Sequence, residues 1–457
     1  MRPLLVLPLL AACAEAPKGV DSGAGLDPAA WLPGGETTNR LLLGGNAFLM
    51  PSANLQPADE QDFYSGNSFF NQAWVEAPAS TAARDGLGPL FNARSCSGCH
   101  LRDGKGRPPE SGQSPLGGLL IRLSIDEVDG GTPDPSWGGQ LQDQANDGLQ
   151  PEAAVVIHEA PTDLRTADGA TITLWAPTYA ITPITGAPDP ALRTSPRVGP
   201  HMIGLGLLEA IPAADIFALA DPEDSDGDGI SGRPQLRVNA AGDELLGRFG
   251  WKGDAPGIPE QVAGAFAGDL GLTSRLHPAD DCTAAQPDCQ EADSGGDPEV
   301  EDHILDLVIL YSRAVAPPVR RAADAPEVRA GQALFDELGC AACHTPAHTT
   351  GPAALAGHEG QRIFPYTDLL LHDMGPGLAD DRPLGQASGQ EWRTPPLWGL
   401  GLIDEVSDHT RFLHDGRARN LTEAIVWHGG EAEESRDAFL GLSAAERAAL
   451  LTFVEDL

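Results

Sequence analysis

Lysine is almost missing from this sequence. It occurs at Lys18, Lys105 and Lys252, and 29 basic residues face 66 acidic ones for a net charge of −37. A polyanion is a poor ligand for such a surface, so nucleic-acid binding is excluded. A basic protein partner suits the surface, as does plain solubility. Long apolar runs are missing too: past the first ten residues none reaches the roughly 18 residues that a membrane span needs. Strand-like alternation is scarce, confined to short runs near 119–124, 154–158 and 171–175. Gly (54) and Pro (40) are abundant, which shortens helices and lengthens loops. The expectation is a mostly α chain of two or three domains, with long loops and a few short strands.

The first residues read as an export signal. Arg2 is followed by a short apolar run from Leu4 to Leu10 and then by Leu10-Ala11-Ala12-Cys13. That ending resembles a bacterial lipobox, which implies removal of residues 1–12 and lipidation of Cys13. Plain secretion after Ala12 is the rival. Ala14, in place of Asp, favours the outer membrane in signals of this kind. The expected location is the bacterial cell envelope, lipid-anchored and facing the periplasm or in the outer membrane. Residues 13–40, rich in Gly, Pro and Ala, read as a flexible tether.

The chemistry lies in two short runs, Cys96-Ser97-Gly98-Cys99-His100 and Cys340-Ala341-Ala342-Cys343-His344. C-x-x-C-H is the pattern for covalent attachment of haem c: two thiols add to the vinyl groups and the histidine ligates iron. A redox C-x-x-C or half a zinc site is the alternative, but zinc would need a second ligand pair near each run. Of 7 cysteines, Cys282 and Cys289 then remain, and in an oxidising compartment they are expected to form a local disulfide.

Leu-Phe precedes both runs at the same spacing, Leu90-Phe91 and Leu334-Phe335, suggesting a repeated helix that ends in an attachment turn. The repeat continues downstream. Phe249-Gly250-Trp251-Lys252-Gly253-Asp254-Ala255 aligns with Phe412-Leu413-His414-Asp415-Gly416-Arg417-Ala418 at an offset of 163 residues. Two related haem domains follow, over 41–320 with an insertion and over 321–457. The insertion carries Asp224, Asp226 and Asp228 with Gly229 at position 6, the start of an EF-hand-type calcium loop. Position 12 is Gln235 rather than glutamate, so a solvated acidic turn stands beside calcium as a reading.

Several stretches carry a family resemblance: residues 86–92, Gly204-Leu205-Gly206-Leu207-Leu208-Glu209, Phe249-Gly250-Trp251-Lys252, Leu370-Leu371-His372-Asp373-Met374-Gly375 and residues 392–398. Together they resemble the di-haem oxidoreductase family of peroxidase-like proteins, some of them labelled thiol oxidoreductases. The family is similar, more distantly, to bacterial di-haem cytochrome c peroxidases. The resemblance implies two cytochrome-c-like haem domains, one haem accepting electrons and the other reducing peroxide.

In those peroxidases the sixth ligand of the second iron lies fourteen residues after the histidine of a His-Asp-Gly motif. Here that motif begins at His414 and the position is His428, where the peroxidases usually have methionine. A bis-histidine iron has a lower potential than a His/Met iron. Met374 is the other candidate.

Moving His428 back by the repeat offset lands on Ala265, so the first iron would lack a ligand from this helix. Gln261 and Asp269 lie one turn to either side, on the same helix face. The resemblance makes Gln261, ten residues after Trp251, a pocket donor and Trp251 an electron relay. It makes Asp269, two residues early for its counterpart, the proton carrier. Between Leu101 and Ile157 there is neither His nor Met, so a distal ligand for the first iron would have to be His158, His201 or Met202.

The function read from the sequence is peroxide reduction at the first haem with electrons relayed from the second. The donor would be a small periplasmic cytochrome c or cupredoxin. The alternatives are a non-catalytic di-haem electron carrier and a haem oxidase or oxygenase using oxygen.

Overall fold

The computed structural model describes residues 27–457, apart from 42–43, 82, 111, 113–116, 126–130 and 240. The expected signal and Cys13 lie outside the described residues. No described helix is long and apolar enough to cross a membrane.

Helix makes up 31% of the chain and strand 19%, which overturns the expectation of a mostly α, cytochrome-c-like protein with a few short strands. Six small sheets are spread among the described residues. The largest departure is a ribbon in which Ala153–Arg165 pairs antiparallel with Thr171–Pro183 along its whole length. The sequence shows this ribbon only as two short alternating runs because Pro161, Pro177 and Pro183 interrupt it. A two-stranded ribbon tolerates proline, since each strand has one edge whose N–H groups need no partner.

The helices are short and built around close contacts. Pro57–Asn71 starts with proline at its first position and has Asp59 and Glu60 in its first turn, where the helix dipole favours them. It packs on Asp302–Ala314, whose Ile304, Leu305, Val308, Ile309 and Tyr311 form the buried stripe. A Cβ added at Gly66 would stand 2.1 Å from the Leu307 carbonyl oxygen, so only glycine permits this crossing. Pro326–Glu337 packs on Ala444–Asp456, which a Ser443–Glu446 capping box starts.

The main core does not respect a boundary at residue 320. Phe48, Phe63, Trp74 and Phe266 share it with Ile363, Trp398, Ile403 and Phe412. Nor is residue 27–40 a free tether: Thr37 and Thr38 are fully buried and the Asn39 N–H donates to the Pro317 carbonyl at 2.9 Å. Leu334-Phe335 ends a helix as expected, but Leu90–Phe91 is a short strand paired with Gln144–Ala145. The ribbon ties the two halves together. Its base joins a core containing Trp251 and Trp392, and Leu164, Ile172 and Leu174 near its tip pack with Phe439 and Phe453.

Candidate functional site

The two Cys-x-x-Cys-His runs fold alike. Cys96–Gly98 and Cys340–Ala342 are single 3₁₀ turns. In each, the histidine N–H donates to the first cysteine's carbonyl, at 2.9 Å for His100 and 3.0 Å for His344. The imidazoles are oriented the same way. His100 Nδ1 donates to the Pro200 carbonyl at 2.7 Å and His344 Nδ1 to the Tyr366 carbonyl at 3.0 Å. A carbonyl can only accept, so Nδ1 carries the proton and Nε2 presents its lone pair. Burial lowers both imidazole pKa values to about 4, which keeps them neutral and able to ligate. Burial also pushes the thiols up, Cys96 to about 12 and Cys340 to about 11, unlike the acidic thiols of a redox C-x-x-C.

A single cavity of about 380 Å³ reaches Cys96, Cys99, His100, Cys340, Cys343 and His344. His428 lines it, two residues past the short helix Leu421–Val426, with Nδ1 donating to the Ala424 carbonyl at 2.7 Å. His428 is close enough to His344 for its charge to lower that group's pKa. Met374 lines the same cavity.

In the first half, Ile258–Leu270 continues as helix past the point where its counterpart stops. Gln261, Ala265 and Asp269 all lie on its cavity side. Asp269 accepts from Gln140 Nε2 at 2.9 Å, and burial raises its pKa. His201 and Met202 line the cavity, whereas His158 is exposed on the ribbon.

Trp251 lines the same cavity, with its Nε1 donating to the Val198 carbonyl at 2.8 Å. Its ring meets His414 edge-on at 6.5 Å, and His414 stacks on Trp392 at 3.8 Å. Lys105 Nζ lies 4.6 Å from the centre of the Trp251 ring and Lys252 Nζ 4.6 Å from that of Trp392. Lys105 escapes a motif search, and Trp392 is marked only as the start of the stretch 392–398. The signal for Lys105 and Lys252 is scarcity: two of the three lysines of an acidic chain are buried here. His372 was also missed as a site residue. It is buried between Asp368 at 2.8 Å and Glu431 at 2.7 Å, which hold its pKa well above the usual value, and it touches Cys343 Sγ at 3.5 Å.

The residues fit two haems. Four thiols and neutral imidazoles surround one apolar cavity, and the cavity also collects Arg122, Arg197, Arg248, Arg393 and Lys105 from a strongly acidic chain. That charge suits the propionates of two porphyrins. Arg197 Nη2 and His201 Nε2 are buried without a hydrogen-bond partner among the described residues. A polar ligand group would satisfy both.

The other candidates lie apart. Cys282 and Cys289 form a disulfide with Cα atoms 5.7 Å apart. Asp224, Asp226 and Asp228 bring ligand atoms within 4.8 Å of one another. Gln235 is turned away from them, donating to the Leu384 carbonyl at 2.6 Å and accepting from Gln386 N–H at 2.9 Å.

Two matched imidazole-and-dithiol centres in one cavity define a two-centre redox protein. The chain matches the family described as "Di-haem oxidoreductase, putative peroxidase" over residues 30–116 and 189–457, and it belongs to that family. No curated protein sequence matches it. Residues 117–188, which hold the ribbon, fall outside the family match.

Proposed function

We propose that the protein is a c-type di-haem peroxidase of the bacterial cell envelope, held by a lipid on Cys13 and facing the periplasm. Cys96 and Cys99 would bind one haem and Cys340 and Cys343 the other, with His100 and His344 as iron ligands. His428 would complete the second centre. The haems supply electron storage and an iron site for peroxide. The chain's own residues do the rest. Asp269 carries a proton between the peroxide oxygens, and Gln261 donates a hydrogen bond to the departing oxygen. Trp251 fills the space between the centres.

The observation that carries this reading is the pair Ala265 and His428. They occupy the same repeat position on equivalent cavity-lining segments, and the first is too small to ligate anything. Overall, H₂O₂ + 2 e⁻ + 2 H⁺ gives two waters, with the O–O bond broken and two O–H bonds formed. The electrons come from an external one-electron donor, a small basic cytochrome c or cupredoxin matched to the acidic surface. Calcium in the Asp224–Asp228 turn is a proposal of lower reach, tested by calcium titration.

The test is a pyridine haemochrome count with EPR of the ferric protein, followed by peroxide-driven oxidation of a reduced small cytochrome c. About two haems per chain, one high-spin, with turnover, is the expected result. The unpartnered Nε2 of His201 favours a second reading, a carrier whose first iron is also six-coordinate. Two low-spin centres that ignore cyanide would select it.

A further inference from the structure

Asp269 is connected to more than the cavity. Gln140 Nε2 lies within hydrogen-bond distance of three acceptors: Asn92 Oδ1 at 2.7 Å, the Gly268 carbonyl at 2.8 Å and Asp269 Oδ1 at 2.9 Å. One amide group has two hydrogens, so Nε2 serves at most two of these acceptors at a time. Next to it, Gln142 Nε2 donates to the same Gly268 carbonyl at 2.8 Å. Both glutamines are buried, at 2% and 4% exposure, and the Oε1 atom of each has no hydrogen-bond partner among the described residues.

Both glutamines line a second, small cavity of about 20 Å³, together with Glu152, Asp280, Asp281 and the disulfide. A space above roughly 10–15 Å³ holds one water, provided it finds two to four polar partners. The two orphan Oε1 atoms and the Glu152 carboxyl are such partners. Glu152 is 1% exposed, and it accepts from the Gln142 N–H at 2.6 Å and from Gln286 Nε2 at 2.6 Å. Burial raises its pKa to about 8, against the two donors, and Asp134 and Asp281 raise it further. The other charged groups acting on Asp269 are Arg122 and Asp281. Asp280 and Asp281 are exposed, on the loop leading into the disulfide.

We infer that Glu152, one water held by Gln140 and Gln142, and Gln140 itself form the proton entry to the first haem pocket, filled from the surface at Asp280 and Asp281. A proton leaves Glu152 for the water, and the water releases one to Gln140 Oε1. Gln140 Nε2 releases one to Asp269, and the resulting imidic acid returns to the amide by tautomerising. Glu152 is reprotonated from solvent, so the net change is one proton delivered. Gln140, Gln142 and Glu152 lie in residues 117–188, outside the family match, which makes the route a property of this chain. The inference rests on the peroxidase reading and supplies the two protons that each turnover consumes.

The test uses the full-length, haem-loaded protein. Glu152→Gln should slow peroxide turnover by about 10²-fold, the low end for loss of a positioned proton carrier. The solvent deuterium isotope effect should rise, added formate should restore the rate, and the Soret and EPR spectra should stay unchanged. Gln142→Met, which fills the small cavity, should reproduce the isotope effect with Glu152 intact, and it decides alone if Glu152→Gln does not fold. Wild-type turnover and isotope effect in both folded variants would overturn the route. A wild-type protein with two haems and no peroxide turnover overturns the function instead. The route is then judged by the rate at which the ferric protein takes up hydrogen cyanide, whose proton must enter the pocket. A rate unchanged by Glu152→Gln, or no uptake at all, overturns the route as well.

Discussion

Residues 249–263 and 412–426 are one backbone used twice with different side chains. Phe249 bridges Ala255 as Phe412 bridges Ala418. Gly250 and Leu413 both take positive φ, 79° and 68°, and so do Gly253 and Gly416, at 65° and 74°. Leucine in the left-handed region is strained, by about 1–3 kcal/mol, and Lys105 Nζ steadies its carbonyl with a 3.0 Å hydrogen bond. The differences fall at the positions that face the cavity. Trp251 corresponds to His414, Gln261 to Ala424 and Ala265 to His428. In the second copy the Ala424 carbonyl accepts from His428 Nδ1 at 2.7 Å, while in the first the same position carries the side-chain amide of Gln261 on the cavity wall. The repeat keeps the turn and changes the side chains that face the cavity; on the proposed reading one copy closes its centre and the other opens it.

That contrast can be broken most completely by Ala265→His, which gives the first copy the second copy's ligand. A low-spin first haem, with cyanide and peroxide binding both abolished, is the expected result in optical titrations. Asp269→Asn removes the proton carrier that the second copy never had; steady-state peroxide turnover should fall by about 10²–10⁴-fold at unchanged haem content. Gln261→Ala should cost less. The reverse change, His428→Ala, opens the second copy, and EPR should show its low-spin signal replaced by a high-spin one. If Met374→Ala does this and His428→Ala does not, the ligand is Met374.

The smallest effect concerns stability. Glu152 titrates near 8 when folded and near 4.5 when unfolded, so the native state binds more protons between those values. Its contribution is full below pH 4.5 and is lost as pH rises through about 8. The melting temperature of wild type should therefore fall more steeply with pH across this window than that of Glu152→Gln.

Sequence reading reached the parts of this site that a motif or a repeat marks. Two Cys-x-x-Cys-His runs and a constant offset pick out the two cysteine-histidine turns, His428, Ala265, Gln261 and Asp269, and these residues line the large cavity. It failed where structure depends on distant partners. The proline-interrupted ribbon has no continuous alternation, and its stability comes from packing against residues far along the chain. Leu90-Phe91 repeats Leu334-Phe335 in letters but not in conformation, because a strand partner at Gln144–Ala145 takes the first copy. Gln140 and Glu152 carry no motif; burial alone distinguishes Glu152 from ordinary polar residues, and Gln140 adds an Oε1 without a partner among the described residues.

The ribbon also orders events in time. Tyr179 donates to Asp415, 236 residues later, and Glu159 pairs with Arg419, 260 residues later. Contacts of such separation form slowly, because the loop must close before any contact rewards it. A chain emerging from its N-terminus makes the whole first centre, ribbon included, before the surface that covers Leu164, Ile172 and Leu174 exists. For that interval the ribbon presents apolar residues and open edges, the combination that invites association between chains. The tip of the ribbon is therefore covered last, though it is made in the first half of synthesis, and Phe439 and Phe453 are among the late residues that cover it.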